Sequence, residues 1–334
     1  MRTILFTLLS LCVLVACQQT ASEDLSTEVV SADDSLRQVK HNLPGARMID
    51  LREGYRVWTH TVGDGKFKVL LLHGGPAMTH EYMQSIADIL PDSGFTVIQY
   101  DQLGSFYSDQ PADTSLWTID RFVEEVEQVR QALGLDTSNF VLLGNSWGGI
   151  LAMEYALKYQ GHLKAMVVCN MTADFDRYEA YNVELRNELR PGLLDTFEYY
   201  ESREDYLNPA YADLVFKEYY GRHICRLPEW PEPVLAAFSH VNYPVYEFMQ
   251  GPSEFVPGGI LKHWSVWNRL KEIHIPTLMV GARYDTMNPE DMEEMSHLVQ
   301  HGSYLYCPNG SHMSFWDDQE AFFSGVTSFL RGLE

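Results

Sequence analysis

Gly144-Asn145-Ser146-Trp147-Gly148-Gly149 is the segment from which the architecture of this chain can be inferred. It matches the pattern G-x-S-x-G and lies between an apolar run, Phe140 to Leu143, and a helical pattern from Trp147 to Tyr159. A serine at such a strand-to-helix turn sits at the N-terminus of the helix, and the turn is sharp enough to need small residues beside it. The pattern therefore predicts that Ser146 is a nucleophile at the edge of a sheet.

Further apolar runs on both sides of this segment predict a buried sheet. They are short, and turn signals or helical patterns separate them. The predicted strands are 68–72, 95–100, 140–143, 163–169, 277–280 and 304–307, and the predicted helices between and after them include 118–133 and 317–330. Strands that alternate with helices predict an α/β fold with a doubly wound, mostly parallel sheet.

The regular alternation stops between about residues 173 and 265. This stretch is rich in Tyr, Trp, Glu and Pro, and it shows helical patches at 177–190 and 211–223. We interpret it as a mainly helical cap above the carboxyl ends of the strands, where α/β proteins bind their ligands. The predicted domains are a core of residues 41–172 and 266–334 and a cap of residues 173–265.

The first residues have the composition of a targeting signal. Met1-Arg2 is positively charged, and the apolar run Ile4 to Ala16 is shorter than the roughly 20 residues that span a membrane. Residues 1–17 resemble a lipoprotein signal whose Cys17 accepts lipid, and the polar residues 18–40 read as a flexible tether. A secretory signal with an unrelated cysteine is the alternative. Lipid on Cys17 predicts a protein anchored to a membrane of the cell envelope, at its periplasmic or outer-surface face.

Composition excludes several classes of partner. The formal net charge of −22 repels phosphates, so no nucleic-acid partner is expected. The cysteines beyond residue 17 are scattered, with neither a disulfide framework nor metal-ligand spacing. The chain also lacks a nucleotide-binding glycine motif. We therefore expect no metal and no cofactor.

A nucleophilic serine needs a base and a group that orients the base. Behind this kind of turn the chain order is serine, acid, histidine. Asp285 and His312 each follow a late predicted strand, so both reach the sheet edge that carries Ser146. We predict His312 as general base and then general acid, and Asp285 as its orienting carboxylate. Rival acids, which also suit loop or helix-capping roles, are Asp174 and Asp317.

The segment His73-Gly74-Gly75-Pro76 follows the predicted strand 68–72. A loop in this position supplies one N–H group of the oxyanion hole, and the residue after the serine supplies the other. Gly75 and Trp147 are therefore the predicted donors. His73 and Asp101 are assigned structural roles in neighbouring loops.

Taken together, HGGP (73–76), YDQLG (100–104), GNSWGG (144–149) and the late Asp285/His312 pair resemble the proline iminopeptidase family, which are α/β-hydrolases that release N-terminal residues from peptides. The resemblance covers roughly residues 45–330. It extends to MQGPSEF at 249–255, which is similar to the family segment M-x-G-P-x-E-F. The resemblance implies an α/β-hydrolase fold, short peptides with a free N-terminus as substrates, and Glu254 as the residue that binds their α-amino group.

The chain departs from this family at several positions. Phe106 and Tyr107 replace smaller residues and are expected to add bulk near the mouth of the site, and Ala77 replaces a common glycine. Thr286 stands where a second glutamate can follow the catalytic aspartate. Amine recognition is then either weaker or supplied elsewhere, for example by Glu229 or Glu232.

The sequence thus predicts a serine aminopeptidase that acts through an acyl-enzyme and prefers proline or another small apolar residue. Two alternatives remain open at this point. One is an esterase or amidase with the same catalytic residues, which would not need a free amine. The other is a surface lipoprotein that binds peptides without cleaving them.

Overall fold

The structure is a computed structural model that describes residues 31–254 and 256–333. Among these residues one sheet contains the strands β1 Ala46–Asp50, β2 Arg56–Val62, β3 Lys68–Leu72, β4 Thr96–Asp101, β5 Phe140–Asn145, β6 Ala165–Cys169, β7 Pro276–Ala282 and β8 His301–Cys307. Their order is β1-β2-β4-β3-β5-β6-β7-β8. Strands β3 to β8 are parallel, and β1 and β2 form an antiparallel edge. Every predicted strand is present, and the mostly parallel sheet is confirmed.

Helices lie before, between and after the strands. They are α1 Ala32–His41, α2 Gln84–Ile89, α3 Ile119–Leu133, α4 Trp147–Tyr159, α5 Phe175–Asn187, α6 Leu193–Glu201, α7 Pro209–Val215, α8 Gly221–His223, α9 Glu232–Ser239, α10 Tyr243–Gln250, α11 Pro289–Leu298, α12 Ser314–Asp317 and α13 Gln319–Arg331. Thr118 caps α3 by accepting a hydrogen bond from the N–H group of Arg121, and Gly134 ends the helix in the left-handed conformation.

The sheet separates two apolar cores because successive side chains of a strand point to opposite faces. In β3, Leu70 and Leu72 belong to the core that α3, α4 and α11 cover. Val69 and Leu71 belong to the core that α2 and α13 cover. Helices therefore cover both faces, as a doubly wound fold requires.

The insertion between β6 and β7 is mainly helical and contains α5 to α10. Its two ends lie side by side, since the N–H group of Phe175 donates to the carbonyl of Trp264 at 2.8 Å. Its own small apolar core consists of Leu185, Leu193, Phe197, Tyr211, Val215 and Tyr219. The fold thus agrees with the predicted core and inserted cap, while the exact domain limits stay predictions.

Helix α1 corrects the C-terminal end of the predicted tether. Residues 32–41 are helical because Ser31 caps the first turn by accepting from the N–H group of Asp34 at 3.0 Å. Acidic residues in the first turn and basic ones in the last also suit the helix dipole. The helix packs on the core through Arg37, whose guanidinium lies 4.6 Å from the ring centre of Phe106.

The predicted signal, Cys17 and the tether up to residue 30 lie outside the described residues, so lipidation and anchoring stay predictions. Within residues 31–254 and 256–333, none of the helices combines the length and the apolar character that crossing a membrane would need.

Candidate active site

Ser146 lies on a tight turn between β5 and α4. Its φ of 55° falls in the left-handed region that most side chains avoid. The turn also brings backbone atoms very close together. A Cβ on Gly144 would lie 2.0 Å from the carbonyl oxygen of Gly148, and a Cβ on Gly148 would lie 1.9 Å from that of Leu72. Only glycine fits at these two positions, which explains the G-x-S-x-G spacing.

Asp285 and His312 come together at the same edge of the sheet. Asp285 follows β7 and His312 follows β8. Oδ1 of Asp285 lies 2.7 Å from Nδ1 of His312, and both side chains are buried. His312 and Ser146 line one cavity, with Asp285 behind the imidazole. The three residues that the sequence analysis selected are therefore neighbours, although 27 residues separate the acid from the base.

The environment of His312 raises its pKa. Burial lowers the pKa of the imidazole, but the charge and the hydrogen bond of Asp285 outweigh burial, so the pKa lies above the ordinary histidine value. The proton on Nδ1 points at the carboxylate. Nε2 is then free to accept a proton from another group, which is the arrangement that a general base requires.

Asn145 and Tyr82 connect the loops around Ser146, and the sequence analysis missed both. The hydroxyl of Tyr82 accepts a hydrogen bond from the N–H group of Gly74 at 2.7 Å and donates to Oδ1 of Asn145 at 2.8 Å. The Asn145 amide in turn donates to the carbonyl of His312 at 3.3 Å. One chain of hydrogen bonds thus links the HGGP loop to the loop of the base.

The predicted oxyanion donors lie beside this chain. Gly75 lines the cavity and has a φ of 113°, which favours glycine. Trp147 begins α4, where first-turn N–H groups have no acceptor within the helix. Its indole points away from the cavity and donates to Oε1 of Gln102 at 2.8 Å. The backbone of Trp147 is thereby held in place, whereas its side chain is part of the core.

His73 and Asp101 brace the surrounding loops. Nε2 of His73 accepts from the N–H group of Gln102 at 3.1 Å, so its proton is on Nδ1, which donates to the carbonyl of Gly74 at 2.8 Å. Asp101 is fully buried and accepts from the backbone N–H and from Nδ1 of His80. Burial would raise the pKa of Asp101, but His80 lowers it below its ordinary value. Neither His73 nor Asp101 lines the cavity.

The rival acids have structural contacts instead. Asp174 caps α5 by accepting from the N–H group of Arg177 at 2.9 Å. Asp317 accepts from the N–H group of Ser311 at 3.0 Å and so holds the loop that carries the base. Within the described residues, Asp285 is the acid in contact with His312.

The cap is hydrogen-bonded directly to the loop of the base. The N–H groups of His312 and Met313 donate to the carbonyls of His223 and Ile224, at 2.9 and 3.0 Å. The hydroxyl of Ser311 also donates to the carbonyl of Ile224, at 2.9 Å. We call residues 223–224 the cap clamp.

Glu254 enters the cavity from the cap. Tyr246 donates to its Oε1 at 2.7 Å, and Tyr178 lies 3.3 Å from its Oε2. Most of the cavity wall is apolar, and the cavity volume is about 140 Å³. The wall is lined by Gly74, Gly75, Met78, Tyr82, Asn145, Ser146, Tyr220, Ile224, Phe238, Val241, Tyr246, Pro252, Ser253, Glu254, His312 and Met313.

The expected bulk at the mouth is absent from this cavity. Phe106 and Tyr107 are buried and do not line it. Phe106 stacks on His240 of the cap with ring centres 4.0 Å apart, and Tyr107 meets the same imidazole edge-on with ring centres 5.8 Å apart. These two residues therefore join core to cap. Ala77, in place of the common glycine, has a φ of 59°.

The remaining carboxylates suggested for amine recognition lie elsewhere. Glu229 and Glu232 are exposed and do not line the cavity. Thr286 is buried with its hydroxyl 3.4 Å from Oδ1 of Asp285. Within the described residues, no group of three side chains is arranged to hold a metal ion.

Comparison with known proteins agrees with this arrangement. The model of the alpha/beta hydrolase fold family matches residues 68–319. A proline iminopeptidase of Elizabethkingia meningoseptica is 54% identical over 283 residues, which cover 84% of this chain and 95% of that protein. One of Flavobacterium johnsoniae is 55% identical over 278 residues, which cover 83% and 94%.

Solved structures show the same likeness. Proline iminopeptidase of Mycobacterium smegmatis gives a TM-score of 0.79 at 28% identity, covering 86% of this chain and 98% of that one. VinJ gives 0.82 at 31% identity, covering 86% and 99%. Relatives more than half identical over most of the chain show that it is a hydrolase and that it belongs to the proline iminopeptidase family of α/β-hydrolases.

Proposed function

We propose that this protein is a serine aminopeptidase that releases proline or another small apolar residue from the N-terminus of short peptides. One observation carries the proposal. A single, mostly apolar cavity is lined by Ser146 and His312 and also by the carboxylate of Glu254. A nucleophile and a fixed negative charge in one small cavity suit a carbonyl group that lies one residue from a free amine. The close relatives named proline iminopeptidase point to the same activity.

The proposed reaction is acyl transfer to Ser146. His312 Nε2 takes the hydroxyl proton as Oγ attacks the first peptide carbonyl, and the N–H groups of Gly75 and Trp147 stabilise the oxyanion. Each such donor typically contributes about 3 kcal/mol. His312 then protonates the leaving peptide amine, which breaks the C–N bond. Water, deprotonated by His312, then attacks the acyl-enzyme, the acyl C–O bond breaks to free the first residue, and His312 returns the proton to Oγ of Ser146.

Glu254 is the proposed partner of the substrate's ammonium group. Oε1 of its carboxylate accepts from the hydroxyl of Tyr246, and the hydroxyl of Tyr178 donates to its backbone carbonyl, so Glu254 is oriented before substrate binds. A partly buried carboxylate selects a cationic amine over a neutral, blocked one. Ser253 is an additional acceptor candidate beside it, since this residue lines the cavity and its buried hydroxyl has no protein partner in the described part of the chain.

The apolar wall suits a small ring or side chain. Tyr220, Ile224, Phe238 and Val241 face the same space as Ser146. Such a wall favours apolar residues through burial but discriminates between neighbours in size by only about 1–3 kcal/mol. We therefore expect proline to be preferred but not to be the sole substrate.

The experiment that tests the proposed function compares prolyl-naphthylamide with its N-acetyl form. We expect the blocked substrate to be turned over at least about 100-fold more slowly, because it leaves the partly buried carboxylate of Glu254 without its cation. Glu254→Gln should lower kcat/KM for the free amine on the order of 100-fold. The matched control is Glu229→Gln, an exposed glutamate outside the cavity. Equal turnover of both substrates would replace the aminopeptidase with an esterase or amidase.

Activity should also depend on pH through His312. The base acts only when neutral, and its pKa is raised by Asp285, so kcat/KM should fall as the pH drops through this raised pKa. The midpoint of the acidic limb is expected above about pH 6.5, the ordinary histidine value. A pH profile of kcat/KM on prolyl-naphthylamide measures it. A midpoint clearly below that value would contradict the ion pair with Asp285.

A further inference from the structure

Asn170 lies between the loop that carries Ser146 and the loop that carries Asp285. It is the first residue after β6, the strand that lies between β5 and β7 in the sheet. Ser146 follows β5 and Asp285 lies beyond β7, so Asn170 stands between the two strand ends that carry them. Its side chain is fully buried, and its φ of 56° is left-handed.

The side chain of Asn170 contacts both the acid and the loop of the base. Its Nδ2 donates to Oδ2 of Asp285 at 2.8 Å and lies 3.3 Å from the carbonyl of Ser311, the residue before His312. Its Oδ1 accepts from the hydroxyl of Ser314 at 3.4 Å. Since Oδ1 of Asp285 is bonded to His312, both oxygens of the acid have a defined partner.

We propose that Asn170 is a positioning residue that fixes the orientation of the Asp285 carboxylate and thereby the orientation and tautomer of His312. The proposal rests on the proposed function of Ser146, Asp285 and His312. A carboxylate rotates easily about its last bond, and a donor on one oxygen removes that freedom. The same amide holds the residue before the base, so acid and base keep their spacing. Small errors in such spacing are costly, on the order of 100-fold for about 1 Å.

The residue type supports this role. A left-handed φ is tolerated by glycine, asparagine and aspartate much better than by other residues. Glycine would supply no donor, and aspartate would place a second negative charge against Asp285. Asparagine combines tolerance of the required backbone with a neutral donor.

The first test removes the side chain of Asn170 while its backbone conformation is kept. Asn170→Gly keeps the left-handed φ and deletes the amide. We expect kcat for prolyl-naphthylamide to fall about 100-fold with KM within about twofold, because the substrate contacts are unchanged. Asn309→Gly, at an exposed asparagine of the loop that follows β8, is the control for added flexibility. A kcat of Asn170→Gly within about twofold of wild type would overturn the proposal.

The second test exchanges the amide of Asn170 with the carboxylate of Asp285 and measures whether the exchange restores part of kcat. In Asp285→Asn alone, Asn170 attracts the new amide oxygen, so the new NH2 group faces His312 and forces the wrong tautomer. In the double variant Asn170→Asp/Asp285→Asn, the introduced aspartate accepts from that NH2 group and turns the amide oxygen toward Nδ1–H of His312. We expect the double variant to exceed Asp285→Asn alone by about tenfold or more in kcat, a non-additive effect. A double variant that is no faster than Asp285→Asn would contradict the proposed orientation.

Labelling by a fluorophosphonate distinguishes failure of this proposal from failure of the proposed function. The probe reports activation of Ser146 and needs no peptide. Labelling that is slow in Asn170→Gly and fast in wild type supports the positioning role even if prolyl-naphthylamide is not a substrate. Equal labelling rates in the two proteins would overturn it.

Discussion

Ser146→Ala is expected to lower kcat for prolyl-naphthylamide by a factor of about 10⁶, the loss typical of removing a nucleophile that works with its base as a unit. Ser146 lies on the turn that presents it to the cavity, and its hydroxyl forms the acyl bond in the proposed mechanism. Alanine has the same left-handed φ to adopt, so the free energy of unfolding should change little. Fluorophosphonate labelling should be lost together with turnover.

The matched control for this substitution is Ser239→Ala. Ser239 is exposed at the end of α9, and its hydroxyl bonds only the carbonyl of Ala236 within the described contacts. It should label and turn over like wild type. Persistent labelling of Ser146→Ala would mean that another residue is the nucleophile. A wild type that resists the probe would favour a binding protein without catalytic activity.

Asp285→Asn is expected to lower kcat by about 10⁴, because it removes the charge behind the base and reverses the hydrogen bond to it. Asn170 donates to Oδ2, so the amide oxygen of the new asparagine should settle there. The NH2 group then faces His312 and leaves the ring proton on Nε2, where it cannot accept from Ser146. The expected loss follows from the direction of the Asn170 hydrogen bond as much as from charge.

The pH profile gives a second readout for Asp285→Asn. Asp285 is what raises the pKa of His312 against the effect of burial. Without it, burial dominates and the acidic limb of residual kcat/KM should move to lower pH than in wild type. Asp317→Asn is a useful comparison, because that acid contacts Ser311 rather than the imidazole. An unchanged limb in Asp285→Asn would assign the orienting role to another acid.

The three residues that we propose to react could be selected from the sequence because local patterns define them. Ser146 has its own motif, and the ends of two late strands identify Asp285 and His312 once the chain order is assumed. Parallel strands bring their carboxyl ends to one edge, so three distant positions converge without any knowledge of side-chain contacts. The geometry therefore follows from topology.

The supporting residues could not be predicted in the same way. Asn145 and Asn170 donate to atoms that are 167 and 115 positions away in the sequence. Which strand lies beside which decides these contacts, and neither asparagine has a motif of its own. The left-handed φ of Asn170 could not be predicted either, because asparagine adopts it without a flanking sequence motif.

Two errors of interpretation have a common cause. Residues 32–40 were assigned to a tether because they are polar, yet Ser31 caps a helix there. The family resemblance predicts Phe106 and Tyr107 as bulk at the mouth because they replace smaller residues, yet they pack beneath the cap. Composition predicts exposure on average, whereas capping and packing are decided by individual contacts.

The cap clamp has a consequence for engineering of substrate range. Its two carbonyls accept hydrogen bonds from the N–H groups of His312 and Met313, so the cap that lines the proposed substrate cavity also holds the loop of the proposed base. A cap grafted from a relative would replace the cap clamp with its own backbone. Chimaeras in this family should therefore exchange the segment around His312 together with the cap, so that the carbonyls of the cap clamp still meet the N–H groups with which they pair.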